Sequence, residues 1–405
     1  MTTIVIAPSN VAGFPDGGGH FWVYMQYVHG LRSLGCEVYW LEHLKSTGDS
    51  DRDQSNLKIF LGRMRDFDLA GKVIVQRQGS PFPPSDAHSG VSLTGSKAAA
   101  VCNDADALLN FYYAIDQELL ARFRRTILVD IDPGLLQFWI SQGQIQVPRH
   151  DLYVSTGETV GTVEARFPSC GIDWHRIRPV VSLPHWPVTH RPEARRLTTV
   201  TGWWGDEWIR DGAEVYENNK RVTFMQFAEI ARRTTQALEL ATYMGEAASV
   251  EQPDNLSRSS PLEASSAEYP GDAVDRSILE SNGWTVRHSK EVSADPESYR
   301  KYIQESRGEF SCAKPSCIKF QNAWVSDRSL CYLASGKPVI VQHTGRSRFL
   351  PDAEGMFRFK TLDEAVTAIE SMNSNYAHHC RMARALAEEQ FDAWKVLGAL
   401  LDFAL

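Results

Sequence analysis

Thr3-Ile4-Val5-Ile6-Ala7, then Pro8-Ser9-Asn10-Val11-Ala12-Gly13-Phe14-Pro15-Asp16-Gly17-Gly18-Gly19, then His20-Phe21-Trp22-Val23-Tyr24 running on to Leu31 and Gly35: this is how the chain opens. The first five residues are largely β-branched and apolar, as a buried strand requires. Phe21, Tyr24, Val28 and Leu31 recur at helical spacing until Gly35 ends the helix, and residues 37–41 read as a second strand. Strand, loop, helix and strand in this order open a parallel, doubly wound sheet, whose ligands sit beyond the carboxyl ends of the strands. The long glycine-rich loop lies at that end.

Further strands are expected at 72–76, 107–110 and 126–131, separated by segments long enough for crossover helices. Pro179, Pro184, Pro187 and Pro192 make the stretch 179–196 irregular, and a fresh strand at 197–201 follows, which places a domain boundary there. Strand and helix alternate again beyond it. Residues 222–234 are amphipathic, 238–244 apolar, and 284–287 resume a sheet. Asp295-Pro296 caps and opens a helix to Ser306, 310–313 is a strand, 327–335 a helix stopped by Gly336, and 339–342 a buried strand. From Leu362 the pattern is helical nearly to Leu405. Residues 247–271, rich in Ser, Glu, Asp and Pro, read as a flexible surface insertion.

The 405 residues suit two domains, and 43% apolar content with eleven Trp excludes a disordered chain. No stretch approaches the roughly 18 apolar residues of a membrane span. Residues 1–8 lack the basic flank and apolar run of a secretory signal, which predicts a cytoplasmic protein. A net charge of −8 repels polyanions, so nucleic acid and acidic membranes are not expected partners. The seven cysteines are odd in number and form no C-x-x-C pair, so reduced thiols are expected rather than a disulfide framework or structural zinc.

Gly17-Gly18-Gly19-His20 joins the first loop to the first helix, where backbone N–H groups and the helix dipole favour negative charge. A dinucleotide fingerprint is disfavoured, because the glycines come ten residues after Ala7 and Trp22 occupies the third glycine's place. His20 titrates in a range suited to a general base. It reads equally as a helix-capping or internally satisfied histidine. In the second half, Gly202-Trp203-Trp204-Gly205 follows a strand, and Lys220 and Arg221 precede a helix, an arrangement that can hold a phosphate-bearing ligand. Arg221 reads better as a solvated surface group. Ser326-Asp327-Arg328 opens a later helix, whose N–H groups could meet a diphosphate with Arg328 as a fork; Asp327 reads as a helix cap or an acceptor for sugar hydroxyls. Trp203, Trp204 and Trp208 could stack on a sugar, although core packing is the commoner use. Asp130 and Asp132 could be a metal pair, yet the same spacing at Asp51/Asp53, Asp66/Asp68 and Asp104/Asp106 makes it uninformative, and no metal is expected.

The glycine loop ending at His20 and the stretch Leu330-Cys331-Tyr332-Leu333-Ala334-Ser335-Gly336-Lys337-Pro338-Val339-Ile340 together resemble nucleotide-sugar glycosyltransferases of the GT-B fold. Lys220 matches the lysine before the first long helix of that family's donor domain, and Met244-Gly245-Glu246 its strand-end Gly-Asp/Glu. The resemblance implies an α/β chain of two Rossmann-like domains facing a cleft. Residues 1–185 would form the acceptor side, 197–390 the donor domain with the insertion 247–271, and 391–405 a terminal helix, with C-terminal helices crossing back to the first domain. The donor would be a nucleoside diphosphate sugar, UDP-linked as first expectation, acting as co-substrate with no cofactor and no catalytic metal. Cys331 stands where retaining members carry their signature glutamate, and Ala323 eight residues earlier is not a glutamate either. In many inverting members a histidine after glycine in the first loop is the base, which matches His20.

The candidate set is therefore His20 as catalytic base, with Gly17, Gly18, Gly19, Asp132 and Glu158 on the acceptor side. Gly202, Trp203, Lys220, Gly245, Glu246, Lys314, Ser326, Asp327, Arg328, Thr344 and Gly345 form the donor side. Lys220 and Arg328 are expected at the cleft rather than in the core, neutralising the departing diphosphate. The expected reaction is transfer of a hexose-like unit to a small-molecule or peptide-like acceptor. A nucleotide-sugar epimerase and a non-catalytic sugar-nucleotide-binding protein are the alternatives.

Overall fold

The computed structural model describes residues 1–86, 88, 90–204, 208–212, 214–244 and 271–405. The chain divides into two compact units, Met1–Ser182 with Phe391–Leu405, and Leu183–Gln390. Gly205, Gly245, Glu246, residues 247–270 of the expected insertion and the side chain of Trp208 lie outside the described residues.

The first unit is built on β1 Thr3–Ala7, β2 Glu37–Leu44, β3 Val73–Arg77, β4 Ser92–Leu93, β5 Ala107–Asn110, β6 Thr126–Asp130, β7 Leu152–Ser155 and β8 Trp174–Arg176. They form one parallel sheet in the order β4-β3-β2-β1-β5-β6-β7-β8. Ile4, Val5, Ile6 and Ala7 are fully buried, which is why β1 is apolar on both faces: helices cover each side of a parallel sheet. The helix Gly18–Ser33 packs Phe21 and Tyr24 against Trp40 of β2, with ring centroids 6.0 and 6.2 Å apart. The helix Ala393–Ala404 lies against it. A Cβ on Gly30 would sit 2.6 Å from Leu397 Cδ1 and 2.7 Å from Ala393 Cβ, so only glycine permits this approach. Val181 N donates to Phe391 O at 2.8 Å and Ala393 N to Val181 O at 3.0 Å, fastening the returning segment. The C-terminal helix thus crosses back to the first unit.

The second unit holds β9 Arg196–Thr201, the antiparallel hairpin β10 Trp208–Asp211 and β11 Glu214–Glu217, then β12 Ala237–Thr242, β13 Thr285–His288, β14 Gly308–Ser311, β15 Val339–Gln342 and β16 Met356–Phe359. Its six-stranded parallel sheet has the order β13-β12-β9-β14-β15-β16, the 3-2-1-4-5-6 winding of a Rossmann fold. Asp295 caps the helix Pro296–Glu305 through the N–H groups of Glu297 and Ser298. The expected helix over 222–234 is instead a helix Lys220–Gln226 followed by a 3-10 turn Ala228–Arg232; Phe227 between them and Ile230 of the turn complete the core with Phe224. The hairpin and β16 are strands of four residues, too short to show alternation in sequence.

Candidate functional site

In the second unit the winding reverses between β9 and β14. These strands pair only at Gly308↔Leu197 and Glu309↔Thr198, whereas β14 stays paired with β15 as far as Ser311↔Val341. Arg328, in the first turn of the helix Asp327–Ala334, fills the gap. Its Nε donates to Glu309 Oε1 at 2.7 Å, Nη1 to the Val200 carbonyl at 2.8 Å and Nη2 to Ser311 Oγ at 2.6 Å. Burial works against the guanidinium's charge, but Glu309 beside it holds its pKa above the ordinary range. This corrects the expectation for Arg328. It lies in the core, 6% exposed, where it ties the splayed strands together, and it is not a diphosphate fork at the surface.

Above that plug, the carboxyl ends of β9, β14 and β15 carry most of the other candidates. Lys220 begins its helix half-buried, with Nζ 5.4 Å from the centre of the Trp324 ring. Burial, then the charges of Arg328 and Lys314, push its ammonium down to about 7. Lys314 is the residue before the helix Pro315–Phe320, three positions beyond β14. Ser326 precedes the helix Asp327–Ala334, and its side chain makes no capping hydrogen bond. The N–H groups of that helix's first turn are therefore without a side-chain cap from Ser326. Thr344 and Gly345, beyond β15, pack against the segment 321–324. Thr344 Oγ1 donates to the Trp324 carbonyl at 2.6 Å, and Ala323 N donates to the Thr344 carbonyl at 3.1 Å. A Cβ on Gly345, at φ +140°, would stand 2.6 Å from the Gln321 carbonyl oxygen. Gly202 is exposed, and a Cβ added there would meet nothing within 4 Å among the described residues.

Trp203 is not a stacking platform. It is buried in the core, its indole donating to Asp275 at 3.0 Å. Arg221 is not a solvated group either: it pairs with the buried Asp275 and lies over Trp204 at 4.5 Å. Sequence reasoning missed Trp324, whose place under Lys220 depends on the contact between two loops.

In the first unit, Gly17 is the residue before the helix, Gly18 and Gly19 are its first two residues and His20 the third, so His20 does not cap it. His20 Nε2 donates to the Ser9 carbonyl at 2.8 Å. A carbonyl only accepts, so Nε2 carries a hydrogen. The ring sits between Phe14 and Tyr24, with centroids 5.1 and 5.3 Å away. The loop is anchored from beneath by Glu42, fully buried in β2, which accepts from Ala12 N and Trp40 Nε1 at 2.8 Å each. Burial pushes the Glu42 carboxyl up to about 7 against those hydrogen bonds. Arg63 adds a second anchor at the Pro15 carbonyl. The signal for Glu42 was a lone acid inside an apolar strand.

Asp130 ends β6 fully buried. One oxygen accepts from Gln137 Nε2 and Ser155 Oγ, both at 2.7 Å, and the other from Asp132 N at 3.0 Å. Burial pushes its carboxyl up to about 6 despite these bonds. It is the knot of the turn before the helix Leu135–Ser141. Asp132 stands exposed in that turn. Burial, and then the charges of Asp130 and Asp132, raise the nearby Tyr113 hydroxyl far above its usual range. Glu158 is half-buried after β7. Among the described residues no group of three or more His, Cys, Asp or Glu is placed to hold a metal ion.

No protein-family model matches the sequence, and neither does any curated protein. Solved structures do match. An α-glucosyltransferase in complex with UDP superposes with a TM-score of 0.60 at 11% identity over 100% of both chains. Anabaena HepE in complex with UDP and glucose gives 0.53 at 9% identity, covering 100% of this chain and 99% of that one. Sucrose-phosphate synthase from Thermosynechococcus elongatus gives 0.53 at 10% over the same shares. The fold is GT-B. Its two Rossmann-like units account for both reversals of strand order, and the GT-B fold puts the cationic edge of the second unit and the glycine loop of the first at the carboxyl ends of their sheets. Fold alone does not assign a reaction.

Proposed function

We propose that the chain is a glycosyltransferase that moves a sugar from a nucleoside diphosphate sugar, UDP-linked by preference, to a small-molecule or peptide-like acceptor. One observation carries the reading: Lys220, a half-buried lysine crowded by Arg328 and Lys314, stands with the uncapped start of the helix Asp327–Ala334 at the carboxyl edge of a Rossmann sheet. Glu309 already meets the charge of Arg328, so Lys220 and Lys314 beside the helix start are the cations that favour a ligand bringing negative charge. A diphosphate fits, and its charge grows as the glycosidic bond breaks, so the same cations stabilise the transition state more than the ground state. Asp327 is suited to accept from sugar hydroxyls, and the bare backbone at Gly202 admits a nucleotide closely. UDP in the matched structures supports the choice of nucleotide.

On the first unit, His20 is assigned as the base that takes the acceptor's proton, its ring oriented by the bond from Nε2 to the Ser9 carbonyl. Displacement by such a base inverts the anomeric centre. The net charge of −8 disfavours a nucleic acid acceptor. The test is UDP release from UDP-sugars by the full chain, with and without an acceptor panel. Release is expected to depend on acceptor, and His20→Ala to lower turnover about 10²–10⁴-fold with UDP affinity unchanged. Conversion of the sugar without acceptor would replace this reading with an epimerase, and absence of UDP binding would remove it.

A further inference from the structure

The first unit holds a second pair of polar side chains that the reading above does not use. His43 of β2 stands opposite Gln76 of β3 in the parallel register, so the two share one face of the sheet, each one residue short of its strand's carboxyl end. Alternation along β2 puts that face opposite to Glu42 and the glycine loop. Both residues are buried, 7% and 6% exposed. The Gln76 amide is oriented by its own nitrogen, which donates to the Arg77 carbonyl at 3.1 Å and the Ser80 carbonyl at 2.7 Å. Its Oε1 then points away, buried and without a hydrogen-bond partner among the described residues. The His43 ring lies flat on Tyr112, centroids 4.5 Å apart and planes 21° apart, and its Nε2 is likewise buried and without a partner among the described residues.

Two such atoms on paired strands would satisfy each other if they touched, and they do not. Buried polar atoms are nearly always paired, so a pair held in place on both sides and left unpaired is set for a third group. Gln76 Oε1 only accepts, which excludes a carboxylate or phosphate. Burial lowers the imidazole to about 4, so His43 is neutral and offers one N–H and one lone pair. A hydroxyl both donates and accepts, one bond for each atom.

We propose that His43 and Gln76 form a hydroxyl-binding subsite that receives one O–H of a polyhydroxylated acceptor, donating to Gln76 Oε1 and accepting from His43 Nε2. The inference rests on the transferase reading for the word acceptor and deepens it by naming a polyol or sugar as the class.

The test titrates the full chain with glycerol, myo-inositol and methyl α-glucoside, following the His43 ring nitrogens by NMR. UDP affinity and the cooperative unfolding transition serve as checks on the fold. A saturable shift of Nε2 is expected, with Gln76→Met and His43→Phe, which keeps the stack on Tyr112, each weakening probe binding about three- to tenfold and leaving UDP affinity unchanged. Unchanged probe affinity in both variants overturns the subsite, as does a water bridging the two atoms in crystals both free and saturated with probe. Weakened probe binding without sugar transfer to any acceptor would keep the subsite and sink the transferase reading. Transfer with an unaltered acceptor KM in both variants would do the reverse.

Discussion

Lys220 should couple nucleotide binding to proton uptake. Its ammonium is pushed from the ordinary 10.5 to about 7, so at pH 8 about nine chains in ten carry it neutral. A diphosphate pairs only with the charged form. Charging it costs about 1.4 kcal/mol at pH 8, which corresponds to an affinity for UDP that falls about eightfold between pH 7.5 and 8.5. Calorimetry in two buffers of different protonation enthalpy reads this directly, with nearly one proton taken up per UDP bound at pH 8. Lys220→Met should bind UDP more weakly and lose the slope over that window. Without ligand the sign is opposite. The folded chain then holds fewer protons at this site than the unfolded one between about pH 7 and 10.5, so stability from this group rises with pH across that window and is lost as pH falls to 7. A wild-type affinity that is flat from pH 7.5 to 8.5, or a slope that survives in Lys220→Met, would refute the reasoning.

Arg328→Ala should destabilise the second unit by about 3–5 kcal/mol in urea unfolding, because it strands the buried Glu309. Replacing both with apolar residues, Arg328→Met with Glu309→Leu, should cost less than the single change. Glu42→Ala should cost about 1–3 kcal/mol for each N–H it leaves unpaired at Ala12 and Trp40. Because the Glu42 pKa is raised, the folded chain binds the extra proton between about pH 4.5 and 7, and stability falls as pH rises through that window; Glu42→Gln should flatten the fall in thermal unfolding scans. Turnover should survive EDTA, since both Asp130 oxygens are already hydrogen-bonded, and inactivation reversed by manganese or magnesium would contradict this.

The parallel sheets were legible because their central strands must be apolar on both faces: Thr3–Ala7 and Val339–Gln342 could hardly be anything else. Asp295-Pro296 and Gly336 marked helix ends by local chemistry alone. Arg328 shows where such reading stops. Its position at a helix start suggested a ligand, but its destination is set by the splay of β9 from β14, two strands more than a hundred residues apart in sequence. Trp203 was misplaced for the same reason, since Asp275 lies 72 residues beyond it. Lys220 kept its neighbourhood because a strand-to-helix turn carries it there directly. The hydroxyl pair was invisible in sequence: only the register of β2 on β3 sets His43 beside Gln76.

Residues 391–405 belong to the first unit, while everything from Leu183 to Gln390 belongs to the second. On a ribosome the two units therefore mature out of order. The first sheet emerges early with the Gly30 side of its helix still uncovered, and waits for some two hundred further residues before Ala393 and Leu397 arrive to cover it. The second unit has all its strands by Phe359 and can close first. A nascent chain stalled before residue 391 should thus expose apolar surface on its earlier half to chaperones, and a frameshift near residue 391 would injure the half of the molecule that was translated first.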